Sequence, residues 1–276
     1  MQKLTTAVAF AAAALLAGAP GAQAVTNLVA NGNFESFTQS SPGGANNQLN
    51  NGTSTGNAHG TNLTAWSSAG YAFDFTQGSV AYTNGASCYE SCGNLSLWGP
   101  TNGGVSGSTS GTRSPGNTTF TAVPGGGNFL AIDPAYQTPD TLSQTVTGLR
   151  QGGEYTLTFY YAGAEQYGFS AATTEGFTVG FGGSTVSTPT ISNIAQGYTP
   201  WVQATYTFFA TSASQVLSFT ATGGPSGGDP PMALLADVSL TYAPEPATWA
   251  VMMAGLGGLM LAGRLWRRRS APAVAA

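Results

Sequence analysis

The chain has 276 residues, 42% of them hydrophobic, with 7 Lys or Arg against 11 Asp or Glu. That composition excludes a strongly basic nucleic-acid binder and a highly charged disordered chain, and the length suits one large β domain or two small ones. The net charge of −4 hides an asymmetry: Lys3, Arg264, Arg267, Arg268 and Arg269 lie at the two ends. Residues 25–243 hold ten carboxylates against Arg113 and Arg150, a net of −8 with no lysine. Such a surface has no electrostatic grip on phosphates, so nucleic acid is not an expected partner.

Residues 1–24 read as a secretory signal. Lys3 supplies the positive start, an apolar run covers 7–19, and Ala22-Gln23-Ala24 is an A-x-A cleavage site for a signal peptidase before Val25. Residues 39–127 follow as a tract of Gly, Asn, Ser and Thr with too little apolar surface to offset ordering entropy, which predicts long loops. Islands interrupt the tract at 63–75, 95–98, Phe120 and 129–132, and read as short strands lending aromatics to one core.

Beyond Gly127 the alternation sharpens. Tyr155, Leu157, Phe159 and Tyr161 share one face, as do Phe177, Val179 and Phe181, then Val202, Ala204, Tyr206 and Phe208, then Leu217, Phe219 and Ala221. In the closing strand Leu234, Ala236, Val238, Leu240 and Tyr242 are expected inward, with Asp237, Ser239 and Thr241 outward. No helical period is sustained, so 25–243 predicts a single all-β antiparallel sandwich.

The last segment, 244–276, carries a second address. Residues 247–263 hold no charge, and as a helix they span about 25 Å, close to the lower limit for crossing a bilayer. Arg264, Arg267, Arg268 and Arg269 follow as a cytoplasmic stop under the positive-inside rule. Pro244-Glu245-Pro246 stands directly before this transmembrane helix, held extended by its prolines. The ordered trio resembles the PEP-CTERM sorting signal of bacterial exported proteins. That resemblance implies a precursor anchored in the inner membrane, recognition by an exosortase-type transpeptidase, and delivery to the cell surface or extracellular matrix. The same tail occurs on proteins of many kinds, some labelled ice-binding.

A second resemblance covers residues 27–242. NLVANGNFES, a following Trp66, GLRQGGEYTLTFYYAG, WVQATYTFFAT and LLADVSLTY recur in this order in galactose-binding-like jelly rolls, the fold of many carbohydrate-binding modules. GNFLAIDP, AEQYGFSAATTEGFTVGF and PPMALLADVSL look especially like bacterial PEP-CTERM proteins with that domain. The resemblance implies a structural calcium between first and last strands, its counterparts here being Asn31, Asn33, Glu35 and Asp237. Both motifs are weakened, because Asn33 stands in the usual acidic place and Ala236 replaces the first of the usual Asp pair. The plainer reading has Glu35 and Asp237 bonding strand-end amides.

The only cysteines, Cys88 and Cys92, predict a disulfide closing a short loop in an exported chain. The rival, a CxxxC metal pair, has no partner Cys or His nearby to complete a zinc shell. His59, the sole histidine, lies in a loop, and neither G-x-S-x-G nor H-E-x-x-H occurs. A glycosidase would draw on paired carboxylates such as Asp133, Asp140, Glu165 and Glu175, yet the expectation is a protein without catalysis. Sugar binding needs flat rings beside amides or carboxylates. Tyr136, Tyr160, Tyr198 and Trp201 are available, and the preferred set is the 165–175 loop: Glu165, Gln166, Tyr167, Phe169 and Glu175. The leading expectation is an exported surface or biofilm-matrix protein associating with polysaccharide. The alternative is a structural or ice-interacting protein, for which the linear sequence offers no fixed-period Thr repeat.

Overall fold

The computed structural model describes residues 26–39, 48–49, 61–76, 95–99, 103–106, 123–136, 141–243, 255 and 257–260. The signal segment, Cys88, Cys92, His59, Pro244, Glu245, Pro246 and Arg264 to Arg269 lie outside the described residues. Of the expected 247–263 span, Gly255 and 257–260 are described, all helical. Among the described residues no helix is long and apolar enough to cross a membrane.

The described chain is an all-β sandwich. Its strands in order are β1 (Phe37–Gln39), β2 (Thr61–Leu63), β3 (Ser67–Ala69), β4 (Ala72–Phe75), β5 (Val105–Ser106), β6 (Phe129–Ile132), β7 (Thr141–Thr147) and β8 (Glu154–Glu165). There follow β9 (Thr173–Phe181), β10 (Ser184–Ser187), β11 (Ile191–Asn193), β12 (Gly197–Tyr198), β13 (Val202–Phe209), β14 (Ser214–Gly224) and β15 (Pro231–Tyr242). A six-stranded sheet runs β10-β9-β14-β7-β3 with β11 also on β9, and a seven-stranded sheet runs β4-β6-β15-β8-β12-β5 with β13 also on β8. Strand pairing is antiparallel except where β12 lies parallel to β5. β1 and β2 form a separate ribbon.

Alternation explains the interface between the sheets. Tyr155, Leu157, Phe159 and Tyr161 of β8 meet Phe177, Val179 and Phe181 of β9 and Leu217, Phe219 and Ala221 of β14 in one buried cluster. Phe159 stands edge-on to Phe219 at 5.1 Å between ring centroids, a preferred aromatic geometry. Trp66 joins the same cluster, its indole N–H donating to the Asn31 carbonyl at 3.0 Å. The opening segment docks on the closing strand: Asn27 Oδ1 accepts from Leu240 N at 2.9 Å, and Val238 N donates to Gly32 O at 2.9 Å.

Two expectations change. In β13, Ala204 and Phe208 are buried and Tyr206 is partly buried, but Val202 is exposed. In β15 the single alternation does not hold. The register shifts between Ala236 and Ser239, with Asp237 at φ 48, a left-handed conformation that inserts a bulge. Before the bulge Ala233 and Leu235 face the inter-sheet core while Leu234 and Ala236 face away; after it Val238 and Leu240 face the core.

Leu234 and Ala236 are buried as well, in a second apolar layer on the outer face of the seven-stranded sheet. It comprises Phe73, Phe75, Leu95, Leu97, Val123, Phe129, Ala131, Ala162, Ala164, Tyr198 and Met232 alongside them, with Tyr71, Tyr160 and Trp201 packed against it. Phe75 stacks on Phe129 at 5.1 Å and 8°. The segment 95–99 helps to roof this layer, so the part of the sheet around β4, β6 and the adjoining halves of β8 and β15 is covered on both faces.

Candidate functional site

At the end of the sandwich where β8 finishes, the roofing segment meets the turn after β8. Leu97 bridges to Gln166, Trp98 N donates to Glu165 O at 3.0 Å, and Tyr167 N donates to Ser96 O at 2.8 Å. Gly168 at φ +99 turns the chain, and Phe169 N bonds back to Gln166 O at 3.3 Å. These bonds set Trp98 against Tyr167 with ring centroids 4.5 Å apart at 50°, and the Trp98 indole N–H donates to the Phe169 carbonyl at 2.8 Å. Tyr167 is 46% exposed. Gln166 N donates to Pro230 O, which carries Asp229 to the same rim, and the Asp229 charge is felt at Glu165. The result is a braced pair of rings, Tyr167 exposed and Trp98 half-buried, beside an amide and a carboxylate.

Trp98 was not among the residues that the sequence singled out for this role. Its signal was a large ring directly before the Gly-rich run at 99–104, where core burial on both sides is implausible. A second exposed ring, Tyr136 at 57%, packs on Tyr71 at 4.8 Å, and Tyr71 in turn meets Phe73 edge-on at 4.5 Å. Nearby Asp133 accepts from Ala135 N at 2.7 Å, and burial pushes its carboxyl up to about 6. Of the other ring candidates, Tyr198 is fully buried, and Trp201 packs edge-on to Phe129 at 5.7 Å.

The two acids of the expected loop are not on its surface. β8 runs on to Glu165 and β9 starts at Thr173, so Glu165 stays in phase with Tyr161 and Glu175 with Phe177, and both side chains end fully buried. Glu165 accepts from Ala171 N at 2.6 Å and from Gln196 N, tying two turns together. Burial pushes its carboxyl up, against those bonds. Glu175 accepts from the Thr173 hydroxyl, and burial, with the Glu165 charge adding to it, pushes the carboxyl up to about 8. Asp74, on the seven-stranded sheet, accepts from Asn128 Nδ2 at 3.2 Å, and burial raises it to about 7.

The residues expected for calcium fall in two places. Asn31, Asn33 and Glu35 line an open depression of about 660 Å³ with Ala30, Ser36, Phe37 and Thr64. There Asn31 Oδ1 accepts from Ser36 N at 2.9 Å and its Nδ2 donates to the Ser36 and Thr64 carbonyls, while Asn33 Nδ2 donates to Glu35 Oε2 at 2.6 Å. Asp237 does not line that depression. Its carboxylate lies against Gly125, where a built Cβ would stand 2.5 Å from Oδ2. Asn128 N donates to Asn33 O, so Asn33 and Asp237 flank the same Gly125–Gly127 turn. Among the described residues no three His, Cys, Asp or Glu side chains gather to hold a metal. With Asn31 Oδ1 taken by Ser36 N and Asp237 outside the depression, the side chains gathered there supply only part of the six to eight oxygens calcium takes.

No family model matches the chain. Over 118 residues it is 33% identical to halomucin of Haloquadratum walsbyi, which is 42% of this chain and about 1% of that protein's length. A putative sugar-binding protein from Bacteroides thetaiotaomicron is similar over 79% of this chain and all of its own, at 12% identity and a TM-score of 0.32. The sugar-binding C-terminal domain of EclA is 23% identical, covering 40% of this chain and 69% of its own, with a TM-score of 0.28. A family 61 carbohydrate-binding module solved with β-1,4-galactotriose is 14% identical over 42% of this chain and 64% of its own, with a TM-score of 0.25. Likenesses at these scores assign neither a ligand nor a residue to this chain.

Proposed function

We propose that the chain is an exported, non-catalytic surface or matrix protein whose jelly-roll domain binds polysaccharide at the Trp98–Tyr167 ring pair. The observation that carries this reading is the exposed Tyr167 ring braced against a half-buried Trp98 whose indole is fixed by its own hydrogen bond. A pyranose presents an apolar C–H face and a rim of hydroxyls; a ring pair takes the first, and Gln166 and Asp229 answer the second. Fixing Trp98 by its indole bond before the ligand arrives lowers the ordering cost of binding. Non-catalytic action is supported by the burial of Glu165 and Glu175, two of the four carboxylates on which a glycosidase would draw. Export and exosortase sorting rest on the signals at 1–24 and 244–276.

Affinity electrophoresis of the purified protein through gels cast with neutral and acidic polysaccharides tests the binding. Retardation by at least one polymer is the expected result, and unchanged mobility in all of them overturns it. For the address, deleting 244–276 is expected to abolish delivery to the surface; unchanged delivery contradicts it.

A second reading, a structural or ice-interacting surface without sugar affinity, is favoured by one observation. The outer face of the six-stranded sheet aligns Ser67, Ser143, Ser218, Gly180 and Thr185 in one cross-strand row and Ala69, Thr141, Thr220, Thr178 and Ser187 in the next. Hydroxyls meet along it, Thr141 with Thr220 at 2.8 Å and Thr178 with Ser187 at 3.3 Å. Sheet register thus builds a hydroxyl array that no linear repeat announces. Strand twist of about 20° to 25° per step curves it away from a planar lattice, which ranks this reading second. Thermal hysteresis that vanishes in Thr220→Lys would raise it to first.

A further inference from the structure

The buried acids Glu165 and Glu175 face each other across the sandwich with no cation beside them. Among the described residues Arg150 is the only Lys, Arg or His, and it sits over the Tyr242 ring at 4.8 Å, near the opposite end of β8. A carboxylate held away from water without a partner is costly, so a buried acid is paired, takes up a proton or coordinates a metal.

Two further atoms point to the same place. Glu175 Oε2 and Asn193 Oδ1 are both buried, and neither has a hydrogen-bond partner. Native proteins leave few buried polar atoms in that state, and each asks for a cause. Both lie over glycines: a Cβ built on Gly163 would stand 2.3 Å from Glu175 Oε2, and one on Gly197 would stand 2.3 Å from Asn193 Oδ1. Tyr198 pairs with Ala164, which sets Gly197 beside Glu165 and one step from Gly163. Thr173 closes the group, donating to Glu175 and accepting from Asn193 Nδ2 at 3.3 Å. The Ile194 carbonyl oxygen lies 2.3 Å from the same built Cβ on Gly197.

We propose that Glu165, Glu175 and Asn193 hold a divalent hard cation of the calcium class between the two sheets. Every donor is an oxygen, which selects calcium or magnesium over zinc or copper. The Glu165 carboxylate keeps lone pairs beyond its two backbone bonds, and Glu175 Oε2, Asn193 Oδ1 and the Ile194 carbonyl add to it. Asp229 stands close enough for its charge to act on Glu165. This place is separate from the Asn31, Asn33, Glu35 and Asp237 set, and the proposal stands whether or not the protein binds polysaccharide.

The test is calcium content and calcium titration of the full chain after chelator treatment and dialysis. The expected result is one equivalent per chain by mass spectrometry of the metal, with a rise in melting temperature. Glu175→Gln, nearly isosteric, is expected to weaken binding at least about tenfold. Asn193→Asp, which adds charge at the same oxygen, is expected to tighten it, and Asp237→Asn to leave it unchanged. A wild-type chain that takes up no calcium overturns the proposal, as does an equivalent that survives Glu175→Gln or disappears in Asp237→Asn.

Discussion

The two sheets solve the same problem in different ways. The six-stranded sheet buries one face and offers solvent a face mostly of Ser, Thr and Gly with Val216, so β7 and most of β14 alternate between buried and at least partly exposed positions. The seven-stranded sheet is buried on both faces around β4, β6, the second half of β8 and the first half of β15, and in β4 and β6 every residue is buried, whereas β13 keeps a wet outer face. An antiparallel sheet with one wet face reads as alternation, whereas one covered twice reads as a continuous apolar run. The exposed rings among the described residues, Tyr136, Tyr167, Phe209 and Phe37, all lie off the hydroxyl face, and of these Tyr167 stands where the second cover ends, braced by a half-buried Trp98. Burial therefore separates a part of the molecule built for packing from a rim free to recognise something.

The largest effect that could break this comparison is loss of the second layer. Phe129→Ala removes a fully buried ring that contacts Phe75 and Trp201, and is expected to cost about 3–5 kcal/mol in urea denaturation. A cost below 1 kcal/mol would mean that the outer layer is not a true core. Next, Gly163→Ala drives a methyl into Glu175 Oε2, with an expected loss of about 1–3 kcal/mol.

At the bulge, Asp237→Val forces a β-branched residue into a left-handed backbone and should cost about 1–2 kcal/mol, while Asp237→Gly should fold normally. pH probes the doubly covered region by a second route. Asp74 rises from 3.8 to about 7 on folding, so the folded state binds the extra proton between those values. Its stabilising share is complete below pH 3.8 and is lost as pH rises through about 7, so melting temperature should fall across that window. In Asp74→Asn the fall should be shallower; an identical profile contradicts the assignment. Smallest of all, Thr220→Ala on the hydroxyl face should shift stability by no more than about 0.5 kcal/mol.

Much of the sandwich was legible because alternation is a local property: Tyr155 to Tyr161 and Phe177 to Phe181 declare their faces without help from the rest of the chain. The bulge at Asp237 was not, since it depends on Gly32 and Gly125 arriving from far away to press on the strand. Glu165 and Glu175 looked like loop acids because charge normally means solvent. Only their phase with Tyr161 and Phe177 put them inside, and that phase could not be followed through the polar 166–172 segment. Tyr167 was legible as a candidate, whereas its partner Trp98 comes from a segment almost 70 residues earlier, joined to it by tertiary hydrogen bonds. The hydroxyl array was equally hidden, being spread over five strands whose register the linear sequence does not contain.

The central claim is that the rim recognises a polysaccharide and the hydroxyl face does not. Affinity electrophoresis against the polymer that retards the wild type, run in parallel with Tyr167→Ala and Thr220→Ala, tests it most directly. The expected result is binding about tenfold weaker in Tyr167→Ala, which corresponds to about 1.4 kcal/mol, and unchanged in Thr220→Ala. Unchanged affinity in Tyr167→Ala, or a loss confined to Thr220→Ala, would contradict the account.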